Sequence, residues 1–356
     1  MGSGKVSMRW LIVVPASVLL GLLFAWWNVP AGWILAGILA AGATALLGRA
    51  ELPLNTYVNR VGRGTIGMLA GIPLAGVPLA ELAGYLAPGL VVALVIVVAG
   101  IAGGLLLARM EPELSRETGV LSMLAGGSSV MPVMARELGA DFRYVALSQY
   151  LRLLIVSMTL PLVTAFFATP GAAGGVTPPV VNYWMFPVVL LIAFFGADLG
   201  RLLRLPSPGV FGPLLITVVL GLLLPAEWSL QPPEFFRVFA FLVVGWMCGG
   251  ALSLPALKLF ARQLPATLIF IVGLSGVCAL LAIPLVPWVG ITYFEAYLAT
   301  SPGAIETALA LSSEGGAGPS VVAIQLIRLL GVLLIAGYLP QILRLFHRDP
   351  DSGGEK

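Results

Sequence analysis

The chain has 356 residues, of which 59% are hydrophobic and only 10% are charged, with a mean hydropathy of +1.02. A soluble domain carries about 25% charged residues, so this composition excludes a water-soluble protein and indicates one embedded in a lipid bilayer. The formal net charge of +3 is small and scattered along the chain, which argues against nucleic acid as a partner. One histidine and two cysteines are too few for a typical metal centre or disulfide framework. We therefore expect no metal, no other cofactor, no catalytic residues and no enzymatic activity.

Ten apolar segments are long enough to cross the hydrocarbon layer, which takes about 20 residues as a helix. The first follows Lys5 and Arg9 and is too long for the core of a signal peptide, so we expect it to be retained. In chain order the predicted spans are 10–27, 30–48, 64–80, 88–108 and 144–168, followed by 182–200, 207–225, 236–254, 264–288 and 319–343.

Two further segments, at about 117–139 and about 295–315, are interrupted at their centres by small residues. About ten residues on either side of each break would rise about 15 Å as a helix, which is half the thickness of the hydrocarbon layer. This geometry predicts re-entrant hairpins, which turn near the midplane and leave on the side they entered. The alternative is a pair of amphipathic helices on the membrane surface.

The chain repeats itself at an offset of 176 residues. Gln149 and Arg152 recur as Gln325 and Arg328, and Gly127 recurs as Gly303. Five spans per copy is an odd number, so the two copies should lie in opposite orientations. The predicted fold is an all-α integral membrane protein with ten transmembrane helices plus two re-entrant hairpins, in two inverted-topology repeats. The predicted divisions are a first repeat at 1–168, an external linker at 169–181, a second repeat at 182–346 and a polar cytoplasmic tail at 347–356.

Basic residues support this topology, because they cluster on alternate connections and cytoplasmic loops are enriched in lysine and arginine. The connections 28–29, 81–87, 169–181 and 289–294 carry no basic residue, and only Arg237 breaks the pattern. Both termini are therefore predicted to be cytoplasmic. The cytoplasmic positions are Lys5, Arg9, Arg49, Arg60, Arg63, Arg109, Arg116, Arg136, Arg143, Arg201, Arg204, Lys258, Arg262, Arg344 and Arg348.

The hairpin tips are the first candidates for a binding site. At each tip the departing half-helix begins with free N–H groups, which suit an anion, and the arriving half-helix ends with free carbonyls, which can ligate a cation. Small residues at the tips let a ligand approach the backbone closely. The predicted tip residues are Gly126, Gly127, Ser128 and Ser129 in the first hairpin, and Ser301, Pro302 and Gly303 in the second.

The repeated arginines are the second candidates. Arg152 lies nine residues beyond Arg143, or about 13 Å deeper along a helix, and Arg328 lies at the equivalent depth from the opposite face. A charge at such depth indicates function by default, and arginine offers a planar fork for a carboxylate. Gln149 and Gln325 lie three residues before each arginine on the same helical face. The structural alternative is that each arginine ties its hairpin to the neighbouring helix, and both interpretations can hold together.

Two other features follow the same repeat. Glu306 follows the second tip, whereas Val130 occupies the equivalent position in the first half. It would serve as a proton acceptor, as a partner for Arg328, or as a carboxylate that complements the helix dipole. The Gly67-x-x-x-Gly71 and Gly245-x-x-x-Gly249 patterns occupy matching places in the two halves and predict close helix packing.

Several of these phrases resemble the duplicated membrane AbrB family of bacterial inner-membrane proteins, over nearly the whole chain. The family pattern has a tip of proline, glycine and a small residue followed by glutamate, and then Gln-x-x-Arg, once per half. The second half matches it with Pro302, Gly303 and Glu306, whereas Gly126 and Val130 depart from it in the first. The resemblance implies localisation in the bacterial inner membrane. The family also carries the labels ammonia monooxygenase and transcriptional regulator, but the chain has neither the metal ligands nor a DNA-binding module for them.

These features predict a secondary transporter for a small anionic, carboxylate-type solute, with its site at the hairpin tips and the Gln/Arg pairs. Coupling to H⁺ or Na⁺ stays open, as does assembly into a homo-oligomer. The alternative is a membrane-embedded sensor that regulates gene expression without transport.

Overall fold

The computed structural model describes most of the chain. The described residues are 3–27, 29, 31–75, 77–112, 114–125, 130–164, 166–167, 181–205, 207–225, 228–251, 264–303 and 305–338. Within these ranges the regular structure is helical and no strand occurs. The helices of the first half are α1 Ser3–Trp26, α2 Gly32–Leu47, α3 Thr56–Gly71, α4 Leu79–Gly84, α5 Leu86–Met110, α6 Arg116–Met123, α7 Val130–Glu137 and α8 Phe142–Thr164. Those of the second half are α9 Phe186–Leu202, α10 Pro208–Leu223, α11 Glu234–Gly250, α12 Leu264–Val289, α13 Tyr293–Thr300, α14 Ile305–Glu314 and α15 Pro319–Gly337.

Among the described residues, five helical segments are long and apolar enough to cross a bilayer, and three shorter apolar helices accompany them. Their outward faces carry bare hydrophobic side chains such as Leu94 and Val272, which are 57% and 66% exposed. Lipid is the solvent that such a surface requires. The prediction of an all-helical membrane protein is therefore confirmed. A helix occurs at each of the ten predicted spans. The five long segments are Met8–Trp26, Ala80–Met110, Phe142–Thr164, Tyr183–Leu202 and Pro265–Val289.

The third helix does not lie where the hydropathy pattern placed it. We predicted a span at 64–80, but α3 begins at Thr56. The side chain of Asn55 caps this helix by accepting a hydrogen bond from the Tyr57 N–H at 2.9 Å. Arg60 and Arg63 therefore belong to the first two turns of this helix, and the predicted start of the third helix at residue 64 is wrong.

Helix bounds recur at the offset found in the sequence. The bounds of α10 are those of α2 shifted by 176 residues, and those of α13 and α14 lie within one residue of α6 and α7 shifted in the same way. The third helix of each half also packs against the second helix of the other half, α3 against α10 and α11 against α2. The two halves are thus interlocked through equivalent helix pairs.

Glycines permit this interlocking, as the paired patterns predicted. A Cβ atom at Gly67 would lie 2.2 Å from the carbonyl oxygen of Val210, and one at Gly245 would lie 2.4 Å from that of Ile34. Carbon and oxygen cannot approach so closely, so only glycine allows the backbones this separation. Val210 is Ile34 shifted by 176 and Gly245 is Gly67 shifted by 178, so a closely similar contact is made in both halves.

The interrupted segments form two broken helices inside the protein. α6 and α7 are separated by 124–129, and α13 and α14 by 301–304. α13 is buried from Phe294 to Thr300 and α14 from Ile305 to Ser312, on every side of the helix. Helices lying on the membrane surface would each expose a polar face. The surface alternative is therefore wrong for the second hairpin.

A side chain closes the base of each hairpin. In the first, the Thr118 hydroxyl accepts the Asp141 N–H at 2.9 Å. In the second, Glu295 accepts the Gly318 N–H at 2.8 Å and also forms a capping box with Thr292. These bonds hold the start of each hairpin next to the helix that follows it, which positions the tips.

Candidate functional site at the hairpin tips

The first Gln/Arg pair reaches the tip of the first hairpin from α8. Both side chains are buried. The Gln149 amide donates to the carbonyls of Leu121 and Leu124 at 2.8 and 3.1 Å, and Arg152 donates to that of Leu124 at 2.9 Å. A second guanidinium N–H of Arg152 donates to the Gln149 side-chain oxygen at 2.7 Å. The pair therefore binds the last carbonyls of α6.

The second pair makes the same arrangement from α15. The Gln325 amide donates to the Leu298 carbonyl at 2.5 Å, and Arg328 donates to the Ser301 carbonyl. Arg328 also donates to the Gln325 side-chain oxygen at 2.6 Å. In both hairpins, a Gln/Arg pair thus donates hydrogen bonds to carbonyls at the end of the arriving half-helix.

Each of these half-helices ends in the protein interior, where its last carbonyls need hydrogen-bond donors. The last four carbonyls of a helix have no partner within it, and an unpaired polar group in a dry environment costs about 1–3 kcal/mol. The Gln/Arg pairs satisfy some of these carbonyls and those of Leu124 and Ser301 just beyond the helix ends, which confirms the interpretation that each arginine ties its hairpin to the next helix. It also corrects the prediction that these carbonyls are free for a cation, since Leu124 and Ser301 already accept from arginine.

Within the part of the chain that the structure describes, neither arginine has a counter-ion. Arg152 is 6% exposed and Arg328 is 3% exposed, and no carboxylate among the described residues forms an ion pair with either. The Nε–H of each is buried and has no hydrogen-bond partner among the described residues. Placing charge in such surroundings costs several kcal/mol unless an anion compensates it.

Glu306 lies in the first turn of α14 and pairs with Arg63 rather than with Arg328. The Arg63 guanidinium donates to the Glu306 carboxylate at 2.7 Å and approaches the Ser207 hydroxyl at 3.4 Å. The side chain of Glu306 is 9% exposed and that of Arg63 is 27% exposed. The ion pair therefore joins the second hairpin to α3, and the possible pairing with Arg328 is not observed.

The next residue of α14 extends this polar contact to α8. The hydroxyls of Thr307 and Ser157 are hydrogen-bonded at 3.0 Å, and the Cys248 thiol lies 4.0 Å from Thr307. A Cβ at Gly303 would lie 2.7 Å from a methyl group of Val156, one turn beyond Arg152. The second tip thus packs on the helix that carries the first arginine.

The structure brings most of the predicted site residues together. Ser301 and Pro302 are buried and Gly303 is half-buried, next to the buried side chains of Gln325 and Arg328. The tip residues of the first hairpin, 126–129, lie outside the described residues. Among those described, no group of three or more histidine, cysteine, aspartate or glutamate side chains is placed to hold a metal ion.

Sequence reasoning missed Arg63 and Ser207. Asn55 followed by Thr56 was the available signal for Arg63, since asparagine is a favoured N-cap and moves the helix start ahead of the two arginines. Ser207 has a left-handed backbone at the start of α10, with a φ of 46°. Nothing in the sequence marks it as a neighbour of α3.

Comparison with known proteins connects this arrangement to a family. The family model described as "Transition state regulatory protein AbrB" matches residues 33–347. A protein of Escherichia coli (strain K12) named "Putative regulator AbrB" is 31% identical over 337 residues, which cover 92% of this chain and 94% of that protein. A Bacillus subtilis (strain 168) protein, named "Uncharacterized protein YhjN", is 25% identical over 366 residues, which cover 95% and 92% of the two chains.

Proposed function

We propose that this chain, which belongs to the AbrB family, is a secondary transporter of small carboxylate-type anions. The observation that carries the proposal is the pair of buried guanidinium groups, Arg152 and Arg328, which have no carboxylate partner among the described residues. A protein that keeps two such charges in its interior has a reason to hold an anion there.

The chemistry available at the tips suits a carboxylate. Each arginine donates one N–H to a tip carbonyl and another to its glutamine, and no described residue accepts from its Nε–H. A carboxylate accepting hydrogen bonds from these groups would satisfy them and neutralise part of the charge. The first turn of α14 adds the positive end of a helix dipole at the same tip. Because the arginines are held by the tips themselves, movement of a hairpin would move the anion site with it.

The proposed topology has ten transmembrane helices and two re-entrant hairpins in inverted repeats, in the bacterial inner membrane with cytoplasmic termini. The recurrence of helix bounds at an offset of 176 and the reciprocal packing of α3 on α10 and α11 on α2 support it. In this arrangement the hairpins enter from opposite sides and their tips approach each other near the midplane, where transporters of this plan bind their solutes.

The test begins with binding. Purified protein is screened by thermal shift against acetate, succinate and citrate, and uptake of the most stabilising compound is measured in proteoliposomes. We expect Arg152→Gln and Arg328→Gln each to lower uptake at least tenfold. Losing one charge-assisted hydrogen bond to the anion, worth about 1.5–3 kcal/mol, corresponds to roughly 10- to 150-fold in affinity.

Arg143→Gln is the matched control. It removes the same charge from the same helix, but Arg143 is exposed at the start of α8. It should leave uptake within about twofold of the original protein. Stabilisation by none of the carboxylates, or uptake that persists in both buried-arginine variants while they remain folded, would refute the proposal.

A second candidate function is favoured by the name of a relative. The Escherichia coli protein, 31% identical to this chain, is named a regulator. A membrane-embedded sensor would use the same buried arginines to bind an anion but would pass no solute. Binding of a carboxylate by thermal shift without any uptake into proteoliposomes would favour the sensor over the transporter.

A further inference from the structure

A cavity of about 330 Å³ lies beside the second hairpin, at the end opposite its tip. Trp33 and Phe294 contribute aromatic surface to it, and Glu314, the last residue of α14, contributes its only carboxylate among the described residues. The rest of its described lining is small, apolar or uncharged. In the proposed topology, the helix ends around this cavity face the outside of the membrane. Anions that approach the second hairpin from that side would meet this carboxylate.

Glu314 connects the hairpin to the turn between α1 and α2. One carboxylate oxygen accepts the Ala31 N–H at 3.0 Å. Ala31 has a left-handed backbone, with a φ of 55°, at the start of α2. The other oxygen has no described hydrogen-bond partner, although the residue is exposed to the cavity.

Other charged groups are close to Glu314 but do not neutralise it. On α11, Arg237 and Glu234 both act on it electrostatically, and they form an ion pair with each other at 2.5 Å. On α13, Glu295 is occupied by hydrogen bonds to Thr292 and to the Gly318 N–H. The described cavity residues from α1, α2 and α8 carry no charge. This placement also accounts for Arg237, the exception to the charge pattern, as the partner of Glu234.

We propose that Glu314 is a proton-binding site on the outer face, whose ionisation controls the entry of anionic solute toward the second hairpin. The inference rests on the proposed transport function for its second half. When ionised, the carboxylate repels an anion that enters the cavity. When a proton from the outer solution binds to the free oxygen, that repulsion disappears and the bond to Ala31 changes from a charge-assisted to a neutral hydrogen bond. The proton thus favours both entry of the anion and release of the hairpin from the α1–α2 turn.

The surroundings place this titration in the physiological range. Desolvation by the surrounding protein raises the pKa of Glu314 to about 7, the Ala31 N–H and Arg237 lower it, and Glu234 raises it. The pKa in the folded state thus exceeds that of an unfolded chain, so the folded protein binds more protons between about pH 4.5 and pH 7. Folding stability contributed by this group is greatest below that window and decreases as the pH rises through it.

The first test requires no transported solute. Apparent melting temperatures of the full-length protein and of Glu314→Gln are measured between pH 5 and 8.5. Glutamine keeps an acceptor for the Ala31 N–H and mimics the protonated acid, so the variant should match the original protein at pH 5 and exceed it increasingly up to pH 8. Glu51→Gln, at an exposed position outside the cavity, should show no such trend. If Glu314→Gln fails to fold, the infrared band of a protonated carboxylic acid in the original protein should be present at pH 6 and absent at pH 8.

The second test uses proteoliposome uptake of whichever of acetate, succinate and citrate stabilises the protein most. Raising the pH from 6 to 8 lowers the protonated fraction of a group of pKa about 7 roughly tenfold, so uptake should decrease about tenfold. Glu314→Gln should transport equally at both pH values. An equal pH dependence in both proteins, or a difference in melting temperature that does not change with pH, would overturn the inference. A pH-dependent melting difference with no uptake by either protein would support the proton site and refute transport.

Discussion

The ion pair between Arg63 and Glu306 holds the second hairpin against α3, and its contribution can be measured. Glu306→Gln keeps the shape of the side chain but leaves the guanidinium without a carboxylate. Breaking a fully buried pair costs about 3–5 kcal/mol, and a charged hydrogen bond contributes about 1.5–3 kcal/mol. Glu306 is 9% exposed but Arg63 is 27% exposed, so water recovers part of the loss. We expect a destabilisation of about 2 kcal/mol.

A double-mutant cycle isolates this energy from other effects of the substitutions. Glu306→Gln, Arg63→Gln and the double variant are compared by denaturant unfolding in a fixed detergent, followed by tryptophan fluorescence. The coupling energy between the two positions should be about 1–2 kcal/mol, because either single change removes the same interaction. Arg201→Gln is the control. Its ion pair with Asp198 joins side chains that are 61% and 50% exposed, so its loss should cost less than about 1 kcal/mol.

Additive effects in the cycle would refute this role of the ion pair in holding the hairpin. They would mean that the 2.7 Å contact between Arg63 and Glu306 contributes no coupling energy. The role is also refuted if Arg201→Gln destabilises the protein as much as Glu306→Gln, because surface charge alone would then explain both losses.

Three further predictions concern packing and the ends of the half-helices. Gly245→Ala should lower the free energy of unfolding by about 1–3 kcal/mol or more, because its Cβ would lie 2.4 Å from a backbone carbonyl. Gly276→Ala is the control: a Cβ there would have no atom within 4 Å, so this variant should be neutral or stabilising when the two are compared by thermal melting. Gln325→Leu should cost about 1–3 kcal/mol in denaturant unfolding, since it leaves a buried Arg328 N–H without its acceptor and leaves the Leu298 carbonyl with only the Ser301 hydroxyl as donor. A loss below about 0.5 kcal/mol would contradict its assigned role. Thr292→Ala should remove the capping box of α13 at a cost of about 1 kcal/mol, and faster amide hydrogen exchange in α13 alone would reveal it.

Several features of this protein follow from local sequence. Long apolar segments must form helices in lipid, because the bilayer offers no partner for unpaired backbone groups. The breaks in the hairpins follow from small residues, and the recurrence of Gln149 and Arg152 as Gln325 and Arg328 identified the residues that hold the tips. The paired glycine patterns predicted the close helix contacts. Each of these conclusions depends on the chemistry of residues that are neighbours along one helix.

Only the tertiary structure shows which partners the charged side chains contact. Arg63 and Glu306 are 243 residues apart, and Ala31 and Glu314 are 283 residues apart. The hydropathy pattern misplaced the start of α3 because Arg60 and Arg63 lower the mean hydropathy there. In the folded protein these two residues form ion pairs with Asp198 and Glu306. A periodic pattern reports which face of a helix is apolar, but it carries no information about the distant helix that packs on that face. The proposed proton site at Glu314 depends on such a distant pairing, because its partner is the N–H of Ala31.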